Sequence, residues 1–177
     1  LKMSKDVFHV DYDIFICGIY LPPDNSAYNI KDAFESLEND VNLFSQRGQI
    51  IIMGDMNART GDMTDYILPD KYDVQGTYGM DQMGYLPMKR FNRDKAVNAH
   101  GKKMIQFCKN TEIVILNGRF MGDIPGSFTL MNKQGCSTVD YGLASSDVLK
   151  LVSHFTVEPL THSLDHCLTK LNLFMSV

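Results

Sequence analysis

The chain has 177 residues and a mass of 20.0 kDa, which suits a single domain. Hydrophobic residues make up 44% and charged residues 21%, a globular composition that excludes a disordered tail, a collagen-like fibre and a coiled-coil rod. The net charge of -4 excludes a globally basic nucleic-acid binder but leaves room for a local basic patch. Apolar runs are far shorter than the ~20 residues of a membrane span, and the N-terminus has no apolar signal core. We therefore expect no membrane partner and an intracellular location, nuclear or cytoplasmic.

The four cysteines, Cys17, Cys108, Cys136 and Cys167, are far apart and form no CxxC pair. A zinc ribbon and a dithiol redox site are therefore disfavoured. Cys17 and Cys108 stand in apolar segments, so both are predicted to be small buried core residues. We expect four free thiols in a reducing compartment.

The first third of the chain predicts a strand, a helix and a second strand. Residues 13–20 are rich in β-branched and aromatic side chains, which favours a buried strand. Apolar residues recur at helical spacing over 29–46, with Ser26 or Asn29 as the candidate cap. Residues 49–53 form a second apolar run. This order of elements predicts a layered α/β fold.

Residues 56–95 contain many Gly, Asp, Tyr and Met residues and show no sustained period, which predicts a long irregular loop. Such loops are usually functional or mobile, and a disordered surface insertion is the alternative. Regular patterns resume after it. They predict a helix over Asn98–Lys109, a strand over Ile113–Leu116, a hairpin of Ser127–Met131 with Thr138–Ala144, and final strands over Ser153–Val157 and Cys167–Leu173.

Chemistry-bearing residues follow the second predicted strand directly. Gly54 allows a tight turn, and Asp55 and Asn57 then point the same way into a common site. A carboxylate orients a water or binds a hard cation, and an amide group holds a phosphate oxygen. The alternative is an Asx turn with no function.

Two later segments carry similar groups. Asp140 lies within a predicted strand, where a carboxylate is disfavoured unless it has a partner, and an exposed-face aspartate is the alternative. Asp165 and His166 are adjacent, and an imidazole held by a carboxylate serves as an acid–base or phosphate-stabilising group. His162 and His166 also have the i, i+4 spacing of a zinc site on a helix. A Ser-His-Asp hydrolase is disfavoured because no Gly-x-Ser-x-Gly segment exists.

Taken together, these segments resemble the endonuclease/exonuclease/phosphatase superfamily, the fold of DNase I and the apurinic endonucleases. They are most similar to the endonuclease domain of LINE-type non-LTR retrotransposons and endonuclease–reverse transcriptase proteins. The resemblance extends over residues 13–173 in six segments that occur in the family order: Ile19–Pro23, Gly54–Gly61, Leu116–Arg119, Ser127–Thr129, Ser137–Tyr141 and Leu164–Cys167.

The resemblance implies a single domain over residues 1–177, a four-layer α/β sandwich, and metal-dependent hydrolysis of phosphodiesters or phosphomonoesters with Mg²⁺ or Mn²⁺, here a DNA endonuclease. Asp55 would orient or deprotonate the attacking water, Asn57 would hold the scissile phosphate, and Tyr20 would approach it. His166 would contact the phosphate, with its imidazole oriented by Asp140. The resemblance further implies a metal-side role for Asp165 and contacts with DNA for Thr129, Ser137, Arg59 and Asn117.

The chain also departs from the family pattern. The family's N-terminal half, with its metal-binding Asn and Glu, lies before the first strand identified here. We therefore expect a sandwich truncated at its N-terminal half, a weakly held cation, and poor cleavage of DNA by this chain alone. An exposed sheet edge predicts either self-association or an upstream segment that completes the sheet. A phosphatase of the same fold, or a non-catalytic remnant that acts as a binding module, is the alternative. Gly142 stands where an aliphatic residue is common, which predicts a weakened strand.

Overall fold

The structure, a computed structural model, describes residues 1–28, 30–67, 89–161 and 164–174. Within these ranges the regular elements are nine strands and two α-helices, with short 3₁₀ turns at Lys5–Val7 and Val148–Leu151. The strands are β1 (Lys2–Met3), β2 (Asp13–Tyr20), β3 (Gly48–Asp55), β4 (Ile113–Ile115), β5 (Leu130–Asn132), β6 (Gly135–Ser137), β7 (Asp140–Ser145), β8 (Val152–Val157) and β9 (Thr169–Leu173). The helices are α1 (Ala33–Ser45) and α2 (Ala99–Thr111).

Five strands form a mixed central sheet in the order β1-β2-β3-β7-β4. β2 and β3 run parallel and are connected by α1, as the strand–helix–strand pattern predicts. β7 is antiparallel to both β3 and β4, so the start of β7 lies beside the end of β3. The pairs β5–β6 and β8–β9 form two small antiparallel sheets.

The core consists of two apolar clusters, one on each face of the central sheet. Successive side chains of a strand point to opposite faces, so Ile50 and Ile52 pack against α1 and α2 while Ile51 packs toward β8 and β9. Burial of an isoleucine side chain contributes about 1.5–3 kcal/mol. β3 therefore connects a helical layer, the central sheet and a second sheet, which is an α/β layered arrangement.

Gly142 in β7 has a packing role that the sequence did not indicate. A Cβ at this position would lie 2.5 Å from Cε2 of Phe155, a fully buried ring on β8. The glycine thus makes room for the ring, and the prediction of a weakened strand does not take account of this contact.

The outer edge of β2 is only partly covered. β1 pairs with Ile14 and Phe15, and the backbone of Leu1 exchanges two hydrogen bonds with Ile16. Among the described residues, no strand pairs with 17–20 on that side. Cys17 is therefore exposed, so the prediction that it is buried is wrong, whereas Cys108 is fully buried in α2. Apolar grooves of about 520 and 540 Å³ lie on the two faces of the sheet beside this edge.

The start of α1 and the pairing of the predicted hairpin differ from the predictions. α1 begins at Ala33 after Asp32, whose side chain makes no cap hydrogen bond, and Ser26 instead accepts a hydrogen bond from the amide of Tyr28. Asn29, the other candidate cap, lies outside the described residues. β5 pairs with β6, whereas β7, predicted to be the second strand of that hairpin, pairs with β3 and β4 in the central sheet.

The described parts of the predicted irregular loop pack into the protein rather than projecting from it. No strand or helix occurs within 56–67 or 89–95, as predicted, apart from an isolated bridge between Thr60 and Val97. Thr60, Asp65 and Asp94 are nearly inaccessible to solvent. A disordered surface insertion is therefore excluded for these parts, while residues 68–88 lie outside the described residues. Neither helix of the described chain is long and apolar enough to cross a bilayer.

Candidate functional site

The site lies at one end of the central sheet, where β2 and β3 finish and β7 begins; this end of the strands is called the site edge. Asp55, the last residue of β3, lies opposite Asp140, the first residue of β7, and beside Tyr20, the last residue of β2. Because paired residues in register place their side chains on the same face, these three side chains share one side of the sheet. Tyr20 is 64% exposed.

His166 reaches this edge from the segment that precedes β9. An isolated bridge pairs it with Leu130, and its Nδ1 lies 2.9 Å and 3.1 Å from the two carboxylate oxygens of Asp140. An ionised carboxylate only accepts hydrogen bonds, so Nδ1 carries the proton and Nε2 is left for another partner. The histidine side chain is 43% exposed and that of Asp140 only 13%.

Asn57 is held against Asp55. Its backbone N–H donates to Oδ1 of Asp55 (2.8 Å), and its Nδ2 donates to Oδ2 of Asp55 (3.1 Å) and to the carbonyl of Leu21 (2.9 Å). Asn57 adopts a positive φ of 46°, which non-glycine residues adopt rarely. Both hydrogens of its amide group face protein acceptors, so a contact between this group and a phosphate would replace one of these bonds.

The cluster has a distinct electrostatic character. Ligand atoms of Asp55, Asp140 and His166 all lie within 4.8 Å of one another. Burial raises the pKa of the Asp55 carboxyl above its ordinary value; the hydrogen bond from the Asn57 amide opposes this shift, and the nearby charge of Asp140 adds to it. A carboxylate with a raised pKa is a better proton acceptor, and two close carboxylates attract a cation.

Two of the residues that the resemblance assigns to DNA contacts support Asp140 from the interior. Thr129 is fully buried, and its hydroxyl oxygen accepts hydrogen bonds from the amides of Val139 and Asp140, both at 3.0 Å. Asn117 is also buried; its Nδ2 donates to the Asp140 carbonyl and its Oδ1 accepts from the Gly142 amide. These bonds fix the start of β7. Their predicted contact with DNA stays a prediction.

The other predicted site residues lie around the cluster. Ser137 ends β6, and its carbonyl accepts from the Thr129 amide. Arg59 forms a two-pronged ion pair with Asp94, with Nε and Nη2 at 2.8 and 2.6 Å from its oxygens. Asp165 is exposed and does not belong to the three-residue group, so its metal-side role stays a prediction. His162 lies outside the described residues, and His166 belongs to a bridge rather than a helix, which removes the basis of the zinc alternative.

Asp94 and Asn98 also fix the site, and neither was among the site residues predicted from the sequence. Asp94 accepts hydrogen bonds from Arg59 and from the amide of Thr138, and Asn98 donates to the carbonyl of Asn57. A signal existed only for Asn98, which stands at the start of a helical pattern as a strong N-cap residue.

Gly54 is required for the approach of β3 to β2 beside the site. Its φ is +150°, and a Cβ would lie 1.9 Å from the carbonyl oxygen of Ile19. We expect Gly54→Ala to lower the free energy of unfolding by roughly 2–5 kcal/mol, because backbone strain and overpacking add. Urea unfolding measures this. Gly18→Ala is the matched control, since nothing lies within 4 Å of a Cβ there. Equal stability of the two variants would contradict this account of the strand contact.

Comparison with solved structures identifies the fold. The chain superposes on the endonuclease domain of TRAS1, a telomere-specific non-LTR retrotransposon, with a TM-score of 0.54 and 19% identity over 93% of this chain and 57% of that one. On the 3'-5' exonuclease NExo from Neisseria meningitidis it superposes with a TM-score of 0.58 and 10% identity, over 92% of this chain and 61% of that one. On the catalytic domain of Xenopus laevis APE2 the TM-score is 0.54 and the identity 14%, over 93% of this chain and 52% of that one.

All three have the DNase I-like endonuclease/exonuclease/phosphatase fold, and so does this chain, which confirms the predicted fold class. The chain spans between 52% and 61% of the length of these solved structures. No protein-family model and no curated protein matches the sequence.

Proposed function

We propose that this chain forms the catalytic edge of a divalent-metal-dependent DNA endonuclease of the retrotransposon type. The observation that carries the proposal is the convergence of Asp55, Asp140 and His166, with Asn57 bonded to Asp55, at one sheet edge. These residues come from segments up to 111 positions apart, so their proximity is a property of the fold. Hydrolysis of a phosphodiester needs an activated water and donors to the phosphate oxygens.

Each residue of the cluster suits one part of that chemistry. Asp55 orients the attacking water and accepts its proton, for which the raised pKa of a half-buried carboxyl is suitable. His166, with its Nδ1 proton bonded to Asp140, presents Nε2 toward a phosphate oxygen. Asp140, bonded to Nδ1, keeps the imidazole in one tautomer. Tyr20 lies in register beside Asp55 and is proposed to approach the phosphate from there.

The donors at this edge fit a divalent cation. Two carboxylates and an imidazole present ligand atoms within 4.8 Å, and oxygen ligands are those that Mg²⁺ and Mn²⁺ prefer. Asp55 would hold the ion, and the exposed Asp165, which precedes His166 in the chain, is proposed as a second carboxylate. When bound, the cation would offset the negative charge that collects on the phosphate oxygens.

We expect the cation to bind weakly. Among the described residues, the group at this edge has only three members, and one of them, Asp140, is already bonded to His166. Mg²⁺ then keeps most of its water ligands. Calorimetric titration with Mg²⁺ and Mn²⁺ measures the affinity, which Asp55→Asn should lower further and the exposed control Asp11→Asn should not. Tight binding by the chain, unchanged by Asp55→Asn, would place the ion elsewhere.

DNA is the proposed substrate because the solved structures with this fold include nucleic-acid enzymes. The TRAS1 domain is an endonuclease of a non-LTR retrotransposon, and a structure of NExo contains a product DNA hairpin. NExo is also described as a 3' phosphatase, so phosphomonoester hydrolysis is the second candidate. The cluster suits both reactions, since each needs the same water and phosphate contacts.

A substrate panel tests the proposal. Supercoiled plasmid, a hairpin with a 3' phosphate and an inositol phosphate are incubated with Mg²⁺ or Mn²⁺, using this chain and the longest natural polypeptide that contains it. We expect metal-dependent nicking of plasmid that EDTA abolishes. Release of phosphate without nicking would support the phosphatase, and neither activity from either polypeptide would support a non-catalytic binding module.

For a protein partner, we propose that the free edge of β2 accepts a further strand. On the side away from β3, the backbone of Cys17–Tyr20 has no strand partner among the described residues, and both adjoining grooves are apolar. Either a second copy or an upstream segment would satisfy these groups. Sedimentation velocity distinguishes the two, since a dimer of this chain indicates self-pairing. A stable monomer in which those amides of residues 17–20 that point away from β3 are protected from hydrogen exchange would contradict the proposal.

A further inference from the structure

The first turn of α2 packs against the loop that carries Asn57. Asn98 caps the helix: its Oδ1 accepts a hydrogen bond from the Gly101 amide at 2.7 Å. The same oxygen also accepts from the Arg59 amide at 2.9 Å, and the Nδ2 donates to the Asn57 carbonyl at 2.9 Å. The backbone amide of Asn98 donates to the Arg59 carbonyl at 3.1 Å. The Asn98 side chain thus joins the first turn of α2 to Asn57, which is itself bonded to Asp55.

Two neighbours of Asn98 hold the same loop. His100 is buried, with Nδ1 3.3 Å from the Met56 carbonyl and Nε2 2.8 Å from Oδ1 of Asp24. At Gly101 a Cβ would lie 1.8 Å from the Arg59 carbonyl oxygen, so the helix approaches the loop at backbone distance. The start of one helix therefore bonds Met56, Asn57 and Arg59 within this loop.

Asn57 needs such support. Its positive φ is unfavourable for a residue with a side chain, and such conformations persist only when the surroundings impose them. This conformation directs both its backbone N–H and its Nδ2 at Asp55. Among the described residues, the bond from Asn98 to the Asn57 carbonyl is a side-chain contact that acts on this peptide from outside the loop.

We infer that Asn98 is a positioning residue that sets the orientation of Asn57 and, through it, of the Asp55 carboxylate. The expected effect on catalysis rests on the proposed function, whereas the orientation of Asn57 by Asn98 does not. Asn98 has two separable functions, since Oδ1 accepts from the Gly101 and Arg59 amides and Nδ2 donates to the Asn57 carbonyl. Replacement by aspartate keeps the acceptor and removes the donor.

Asn98→Asp therefore separates the two functions. Aspartate is as good an N-cap as asparagine, so α2 should stay intact. The second carboxylate oxygen then faces the Asn57 carbonyl and repels it. We expect the amide signals of Asn57, backbone and side chain, to shift in ¹H–¹⁵N spectra and to exchange faster with solvent, while the amides of α2 keep their protection. Asn42→Asp, on the exposed face of α1, is the matched control and should change neither the Asn57 signals nor their exchange rates.

The catalytic readout uses the polypeptide that nicks DNA in the substrate panel. Asn98→Asp should lower kcat by about 10- to 100-fold with KM unchanged, since a displacement of about 1 Å is sufficient for such a loss. In an Asn57→Ala background the same change should have no further effect, because Asn98 acts through Asn57.

Unchanged Asn57 signals in Asn98→Asp, or an equal loss of kcat in the Asn57→Ala background, would overturn the inference. If neither polypeptide nicks DNA, the proposed function fails, and the spectra alone still decide whether Asn98 positions Asn57. Asn98→Ala, which removes cap and donor together, should lose protection throughout the first turn of α2 and so shows how cap loss differs from loss of the donor.

Discussion

His166→Ala should lower the rate of metal-dependent nicking by about 10²- to 10³-fold, the usual consequence of removing one preorganised group that stabilises charge in the transition state. The imidazole contacts Asp140 at 2.9 Å and lies with Asp55 in the same cluster of ligand atoms. Its side chain is 43% exposed, so its loss leaves little empty space in the core and the fold should persist. Initial rates on supercoiled plasmid measure the effect.

His154→Ala is the matched control for this variant. His154 lies on β8, is exposed, and pairs across the small sheet with Asn172; it does not belong to the cluster of Asp55, Asp140 and His166. It should nick at the wild-type rate. Asp140→Asn should lower the rate in the same direction as His166→Ala, because the Nδ1 proton then loses its carboxylate partner. Equal rates for His166→Ala and His154→Ala would remove histidine 166 from the mechanism.

Asp65→Ala should lower the free energy of unfolding by about 3–5 kcal/mol, the range for breaking a buried ion pair by removing one partner. The Asp65 oxygens lie 2.6 and 2.7 Å from two nitrogens of Arg119. Oδ2 of Asp65 also accepts a hydrogen bond from the Ile115 amide at 2.8 Å. Both side chains are at most 2% exposed. Asp62→Ala is the control, because its ion pair with Lys95 is exposed and should contribute about 0–1 kcal/mol.

The same pair makes stability depend on pH. Burial raises the pKa of the Asp65 carboxyl, but the hydrogen bonds and charge of Arg119 outweigh it, so the pKa lies below its ordinary value. A carboxyl with a lowered folded-state pKa stabilises the protein above its unfolded pKa of 3.8, and this contribution is lost as the pH falls through the lower folded value. Urea unfolding at a series of pH values should show a steeper loss of stability below pH ~4 in the wild type than in Asp65→Ala. Parallel pH profiles would contradict this assignment.

The sequence predicted the central strands well because their signal is local. Continuous apolar runs at 13–20 and 49–53 form β2 and β3, and the helical spacing between them forms α1. The hairpin was assigned incorrectly for a physical reason. β5 and β6 have three residues each, so the turn alone decides their pairing, while Asp140–Ser145 gains more by pairing with β3 and β4 in the core.

The candidate site was predictable only in part. Glycine, aspartate and asparagine after β3 indicated it directly, and Asp140 and His166 became significant through the resemblance to a family. The bonds that orient these residues join positions far apart in the chain, such as Asn98 with Asn57 and Thr129 with Asp140. No periodicity or spacing contains such information. The contact of Asp65 with Arg119 across 54 positions is of the same kind.

The central claim is that a divalent cation and a phosphodiester meet at the edge formed by the ends of β2, β3 and β7. Paramagnetic broadening by Mn²⁺ tests it directly, because the ion removes amide signals only from nearby residues. At substoichiometric Mn²⁺ we expect the signals of Asp55, Asn57, Asp140 and His166 to disappear first, and a non-cleavable phosphorothioate duplex to shift signals at the same edge. Broadening that begins elsewhere, with these four signals unaffected, would contradict the account.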